Sequence, residues 1–333
     1  MLEITPGNAR LWSRLGSRGM FGQAVLALAA EEPRLIVLSA DLGNSSGLDR
    51  FKAAYPDRFL NVGIAEQNLI GIASGLAKEG FTVFATSFAP FIAMRAAEQV
   101  RMNMGYMELG VKTVAIGSGV AMGFLGNSHY GLEDAAVMRA IPNITVVCPA
   151  DCAEIAQTVF AAAHHPGPMY IRLTGGINTP VVYKDNYAFE IGKAIPLREG
   201  GDIAIVATGS MVAQALEAAS QLEAAGLAAS VLNMHTLKPL DTAALDRVMD
   251  RARLLVTVEE HSVIGGLGSA VAEYKSGLER APAQLTLGLP DGFLSAGDYG
   301  YVLDQYGLTG PRIAESILKK YQSMDRSAVN PGT

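Results

Sequence analysis

Along this chain, short continuous apolar runs alternate with longer stretches in which apolar residues recur every three or four positions. "RLIVLSA" (34–40), "FTVFAT" (81–86), "VKTVAIG" (111–117), "ITVVCPA" (144–150) and "MYIRLT" (169–174) are β-branched runs of strand length. Such runs, apolar throughout, suit strands covered on both faces. Between them, "AAEQVRMNMGY" (96–106), "LEDAAVMRAI" (132–141) and "CAEIAQTVFAAAHH" (152–165) read as helices. A further helix of small apolar residues opens at Glu66 in "NVGIAEQNLIGIASGLAKEG" (61–80). The alternation predicts a mostly parallel sheet with helices on both faces.

The pattern breaks at "GGINTPVVYKDNYAFEIG" (175–192), a stretch of turn formers and isolated apolar residues that reads as a connector. A second series follows: strands at 202–209, 228–234, 254–260 and 283–289, with helices at 211–225, 241–252 and 265–280. A last helix begins after Gly310 and gives way to the polar end "DRSAVNPGT". The predicted fold is therefore α/β, with two doubly wound domains and mostly parallel sheets. The first domain covers residues 1–175, a linker 176–192, the second domain 193–325 and a tail 326–333.

Composition narrows the class. Of 333 residues, 50% are hydrophobic and only 17% charged, which is ample material for two cores. The net charge of −6 argues against a nucleic-acid footprint. The N-terminal "MLEITPGNARLWSRLG" lacks an apolar signal core, and no apolar run approaches the ~18 residues of a membrane span. A cytoplasmic protein is the expectation. The two cysteines, Cys148 and Cys152 in "VVCPADCAE", have no second pair and no histidine at ligand spacing, so they read as small buried hydrophobes.

Four residues, in three segments, stand out for chemistry. Glu66 places a carboxylate where a short apolar strand gives way to a helix; it is either a helix-start acid favoured by the dipole or a functional acid. Phe88 and Phe91, in "FATSFAPFIAMRAAEQVR", lie at a strand-to-helix junction, where α/β sheets place their ligand crevices. They suit a core as well as a platform. His129 sits in the glycine-broken loop "MGFLGNSHYGLED", either exposed and structural or able to move protons.

Taken together, "SRGMFGQAV", "SADLGNSSGLDRF", "YPDRFLNVGIAEQN", "FATSFAPF", "SHYGLEDAAVMRAIPNITVVCPAD", "GPMYIRL", "NMHTLKPLD" and "VEEHSVIGGLGSAVAE" resemble, in order, the transketolase family of thiamine diphosphate enzymes. The resemblance spans roughly residues 15–325 and covers that family's pyrimidine-binding and C-terminal domains. It is closest in kind to the C-terminal subunit of a split transketolase, encoded as two chains. It implies that Glu66 bonds N1′ of the cofactor's aminopyrimidine, that Phe91 stacks on that ring with Phe88 beside it, and that Asp41 also belongs to the cofactor site. It further implies that His129 contacts a substrate oxygen and that Arg18 and Ser45 meet a substrate phosphate.

No Gly-Asp-Gly turn of the kind that holds magnesium and diphosphate occurs; "GGD" (200–202) and "PDG" (290–292) do not replace it. The Mg²⁺ ligands are therefore expected on a partner, an N-terminal transketolase subunit, in a heterotetramer of two plus two chains. Three substrate contacts of the family pattern are altered. Phe124 and Leu125 replace an acidic pair, Gly117 replaces a histidine, and Gly175 replaces a phosphate-binding arginine; Arg172 reads as structural. These losses predict a wider, less cationic substrate channel and a ketose or oxo acid other than the standard pentose phosphates. The leading function is a two-carbon ketol transferase active only with its partner. The alternatives are the beta subunit of a 2-oxoacid dehydrogenase and a non-catalytic scaffold.

Overall fold

The computed structural model describes residues 2–329, with side chains through Met324. Its strands are β1 (Leu35–Ser39), β2 (Phe59–Asn61), β3 (Thr82–Phe88), β4 (Lys112–Ile116), β5 (Thr145–Val147), β6 (Met169–Arg172), β7 (Ile195–Arg198), β8 (Ile203–Ala207), β9 (Ala229–Asn233), β10 (Thr236–Lys238), β11 (Leu254–Ser262) and β12 (Ala283–Leu289). They form a seven-stranded sheet in the order β10-β5-β6-β4-β3-β1-β2 and a five-stranded sheet in the order β12-β11-β8-β9-β7. Every pairing is parallel except β10 with β5 and β7 with β9. Two α/β units with mostly parallel sheets are thus present, as the apolar pattern predicts.

Strands β4, β8 and β11 are buried at every position, because helices cover both faces of a parallel sheet and leave no solvent side. The helix Glu66–Lys78 turns Leu69, Ile70 and Ala73 inward, the spacing of one helical face. The helix Cys152–His164 is buried almost all round, since it lies between its sheet and the helix Pro6–Leu28. Its start is fixed by Asp151, whose carboxylate accepts from the Glu154 N–H at 2.9 Å. Between Arg172 and Ile195 the chain has no helix or strand, and it is pinned where the Val182 and Tyr183 N–H groups donate to Asp151.

Four departures from the pattern reading have physical causes. Strand β10 comes from the second half of the chain but completes the first sheet beside β5; three residues are too few for periodicity to reveal it. Strand β7 carries Pro196 and occurs at a sheet edge, where a missing N–H is tolerated. The segment expected as one helix over 96–106 is instead a short α-helical turn (Ala97–Gln99) between π-helical turns Phe91–Arg95 and Val100–Tyr106. The last helix, Gly310–Val329, runs through the start of the expected polar tail, of which residues 330–333 lie outside the described residues.

Candidate functional site

Strands β1, β2, β3, β4 and β6 are mutually parallel, so the loops leaving their C-terminal ends gather along one edge of the first sheet. The chain passes from β1 to β2 on one side and returns past β1 to β3 on the other, which makes β1/β3 the switch point where such sheets hold ligands. Asp41 follows β1, Glu66 follows β2, Phe88 and Phe91 end and follow β3, and His129 lies in the long loop after β4.

Glu66 is the first residue of its helix and only 2% exposed. Its carboxylate faces the positive end of the helix dipole. The Ser87 hydroxyl donates to one of its oxygens at 3.2 Å and the Arg95 guanidinium to the other at 2.9 Å. A carboxylate offers about four acceptor positions, so this buried acid retains capacity for a further donor. That is more than a helix-start acid requires.

Beside it, Phe88, Phe91 and His129 form an edge-to-face trio. Ring centroids are 5.9 Å apart for the two phenylalanines, 5.4 Å for Phe88–His129 and 5.6 Å for Phe91–His129. The Ser128 hydroxyl is 2.9 Å from His129 Nδ1, which leaves Nε2 for other partners. Arg95 was not singled out by the sequence. Its guanidinium carbon lies 4.3 Å from the Phe91 ring centroid while it pairs with Glu66. The two residues lie four apart in the π-helical turn Phe91–Arg95, a spacing at which helical side chains meet, and such turns are frequent at functional sites. The available sequence signal was a lone cation four residues past Phe91.

Asp41 adopts a left-handed backbone conformation, φ 59°, and is exposed. It exchanges two hydrogen bonds with Asn61, its N–H donating to Asn61 Oδ1 at 3.0 Å and its carboxylate accepting from Asn61 Nδ2 at 2.9 Å. This pair ties the end of β1 to the segment that leads into Glu66. Arg18 and Ser45 line one cleft of about 290 Å³ together with Asn44 and Ile177. The helix Pro6–Leu28 is interrupted at Gly16, so Arg18 lies in the first turn of its second segment.

The four altered positions do not behave alike. Phe124 and Leu125 are 80% and 52% exposed, an apolar rim on the histidine loop. Gly117 has φ 66°, and a Cβ there would lie 2.5 Å from Met122 Sδ. The width expected from loss of a side chain at 117 is therefore filled by Met122. Gly175 has φ 74° and would set a Cβ 3.0 Å from Thr179 Cγ2. Arg172 is structural: fully buried, it donates to both Asp134 oxygens and to the Gly131 and Glu260 carbonyls. Cys148 and Cys152 are buried free thiols, and the described residues contain no cluster of three or more metal-ligating side chains. No helix among the described residues is long and apolar enough to cross a membrane.

Comparison with known proteins finds matches to both domains. Residues 14–177 match the transketolase pyrimidine-binding domain and residues 192–313 the transketolase C-terminal domain. The chain is 43% identical over 300 residues to an uncharacterized transketolase family protein, y4mN, of Sinorhizobium fredii, covering 89% of this chain and 86% of that one. It is 40% identical to the 6-deoxy-6-sulfo-D-fructose transketolase subunit SqwH of a Clostridium species, over 90% of this chain and 92% of the relative. Among solved structures, a split gene transketolase described as an inactive beta4 tetramer superposes with TM-score 0.82 at 43% identity, covering 91% of this chain and 97% of that one.

Proposed function

Because this chain belongs to the transketolase family, with the pyrimidine-binding and C-terminal domains in one polypeptide, we propose that it is the C-terminal subunit of a two-chain, thiamine diphosphate-dependent transferase. The enzyme moves a two-carbon ketol unit and works only when a partner supplies the diphosphate and Mg²⁺ half of the site. The observation that carries this reading is the buried Glu66 carboxylate, with acceptor capacity left beyond its bonds from Ser87 and Arg95 and set beside the Phe88–Phe91–His129 trio.

These residues fit the cofactor's aminopyrimidine. Glu66 would hold the proton at N1′, and Phe91, with Phe88 edge-on to it, would offer the flat face on which that ring stacks. When bound, thiamine diphosphate supplies a carbon nucleophile and an electron sink. His129, with Nδ1 engaged by Ser128, keeps Nε2 to donate to or accept from a substrate oxygen. Asp41 fixes the approach to Glu66 through Asn61. Arg18 and Ser45 would receive an anionic substrate group at the neighbouring cleft.

An apolar fringe supports completion by a partner. Ile64, Met94, Phe124 and Leu125 flank the site residues in sequence and are 76%, 49%, 80% and 52% exposed. A partner seated there would exclude water from the site. The assembly proposed is two copies of each chain, in line with the tetrameric, inactive beta-only state described for the similar split transketolase.

The substrate proposed is a ketose outside the standard pentose phosphates. Gly175 lines a cavity of about 250 Å³ whose walls include Asp151, Ile155, Met211 and Leu303, a poor setting for a second anionic group. One similar subunit is named for a sulfonated ketose. The test is a search of the neighbouring reading frames for a chain that carries a Gly-Asp-Gly turn, reconstitution with that chain, and transfer assays with phosphorylated, sulfonated and neutral ketoses. Thiamine-dependent transfer by the pair and none by either chain alone is expected. Tight thiamine diphosphate binding by the isolated chain, or decarboxylation of 2-oxo acids without ketol transfer, would contradict the proposal.

A further inference from the structure

The loop that carries His129 is held at both ends by the second domain. Its neck closes on itself through reciprocal Gly119–Gly131 backbone hydrogen bonds of 2.9 and 3.0 Å. Immediately beside that neck, the Val120 N–H donates to the Glu260 carboxylate at 2.8 Å. Glu260 comes from β11, and it approaches so closely that a Cβ at position 119 would lie 2.3 Å from its Oε1. The other Glu260 oxygen accepts from the Ser210 hydroxyl and, at 2.6 Å, from the Tyr299 hydroxyl. Burial raises the affinity of this carboxyl for its proton, and the bonds from Ser210 and Tyr299 oppose that rise.

At the far side of the loop, two residues before His129, the Asn127 amide pairs with both backbone polar groups of one residue of the second domain, Leu294. Its Nδ2 donates to the Leu294 carbonyl at 2.7 Å and its Oδ1 accepts from the Leu294 N–H at 2.8 Å. Positions 123 and 126 press on the same segment, where added Cβ atoms would lie 3.0 Å from the Gly297 carbonyl and 3.2 Å from Ala296 Cβ. The Tyr130 hydroxyl donates to the Gly123 carbonyl at 2.6 Å and closes the loop from within.

We infer that the second domain is a clamp that sets the position of the His129 ring, with Asn127 and Glu260 as its positioning residues. An exposed asparagine matched at both of its polar ends to the N–H and C=O of one residue is a register device, because a shift of one residue breaks both bonds. Glu260 acts at the neck, where Arg172 also joins the Gly131 and Glu260 carbonyls. The loop therefore has little freedom at either end. The inference rests on the reading of His129 as the substrate-facing residue, and it assigns the second domain a role in that reaction.

The test uses Asn127→Ala, at an exposed residue, with Glu260→Gln as a second, near-isosteric variant. The chain has only five histidines, so ring ¹⁵N–¹H spectra of the full-length protein resolve them, with His129 assigned by its loss in His129→Gln. Asn127→Ala is expected to move the His129 resonances toward those of a mobile imidazole and leave His235 and His261 in place. In the reconstituted enzyme, kcat/KM for the preferred ketose should fall by about ten- to a hundredfold, the scale of ångström misplacement, while the thiamine diphosphate Kd stays within about twofold. Glu260→Gln, which keeps an acceptor for Val120, should show a smaller shift of the same resonances.

An unmoved His129 signal in Asn127→Ala would overturn the clamp, as would shifts spread evenly over all five histidines. A clamp confirmed by spectra in a reconstituted pair that transfers no ketol unit would leave the positioning intact and sink the functional reading instead.

Discussion

Glu66→Gln separates a structural acid from a functional one. Glu66 receives two hydrogen bonds, from Ser87 at 3.2 Å and Arg95 at 2.9 Å. Glutamine can keep both, turning its carbonyl toward Arg95 and its amide toward Ser87, whose hydroxyl accepts as readily as it donates. The loss is then the charge on one bond. A charge-assisted bond is worth roughly 1.5–3 kcal/mol when well shielded. The Arg95 side chain is 49% exposed, however, and can turn to water. Such a pair contributes nearer ~0.2–1 kcal/mol, a shift in Tm of about 2–4 °C at most for a domain of this size.

The chemical cost should be far larger. An amide cannot take and return a proton at N1′, and removal of an acid–base group costs about 10²- to 10⁴-fold in rate. The assays are differential scanning calorimetry of the single chain and ketol transfer by the reconstituted pair. A small Tm shift with a rate loss of that order is expected. Near wild-type turnover would refute the role given to Glu66. A Tm drop beyond about 8 °C, more than ~2 kcal/mol, would show that the carboxylate chiefly holds the fold.

Three further outcomes are expected. Arg172→Met leaves the Asp134 carboxylate buried, with its Arg172 bonds gone and the Tyr170 hydroxyl, donating at 2.8 Å, its remaining side-chain hydrogen bond among the described residues; urea denaturation should show a loss of about 3–5 kcal/mol, and a loss below ~1 kcal/mol would be inconsistent with a buried pair. Burial pushes the Glu154 carboxyl from 4.5 up to about 7, so between those values the folded chain holds a proton that the unfolded chain releases, and this group's stabilisation falls as pH rises. His235 and His261, pushed down to about 4, work in the opposite direction, so the readout is the wild-type Tm minus that of Glu154→Gln, which should fall from about pH 5 to about pH 8; a pH-independent difference would remove Glu154 from the linkage. Gly117→His meets both a left-handed backbone and Met122, at roughly 1–2 kcal/mol for the backbone and about 1–3 kcal/mol for overpacking; Tm should fall, and Met122→Ala in the same chain should recover the overpacking share.

Much of this protein was legible in its residues alone. Continuous apolar runs at strand length can be satisfied only by strands covered on both faces, so the parallel sheets followed from periodicity. Glu66, Phe88, Phe91 and His129 could be picked out because each sits at a strand-to-helix junction or in a glycine-broken loop, and parallel topology gathers such junctions at one edge. The family resemblance then joined them into one site.

Contacts between residues far apart in the chain needed the fold. Arg95 lies four residues past Phe91, a spacing at which helical side chains meet anyway, but its pairing with Glu66, 29 residues away, needed the fold. Gly117 looked like open space until Met122 was found in it. Strand β10 crosses from the second half of the chain into the first sheet, and its pairing depends on which edge is free after folding. Glu260 and Asn127 hold the histidine loop across 140 and 167 residues of chain. Periodicity records what a segment buries, and it carries no information about which distant partner does the burying; that choice is made when the two sheets pack.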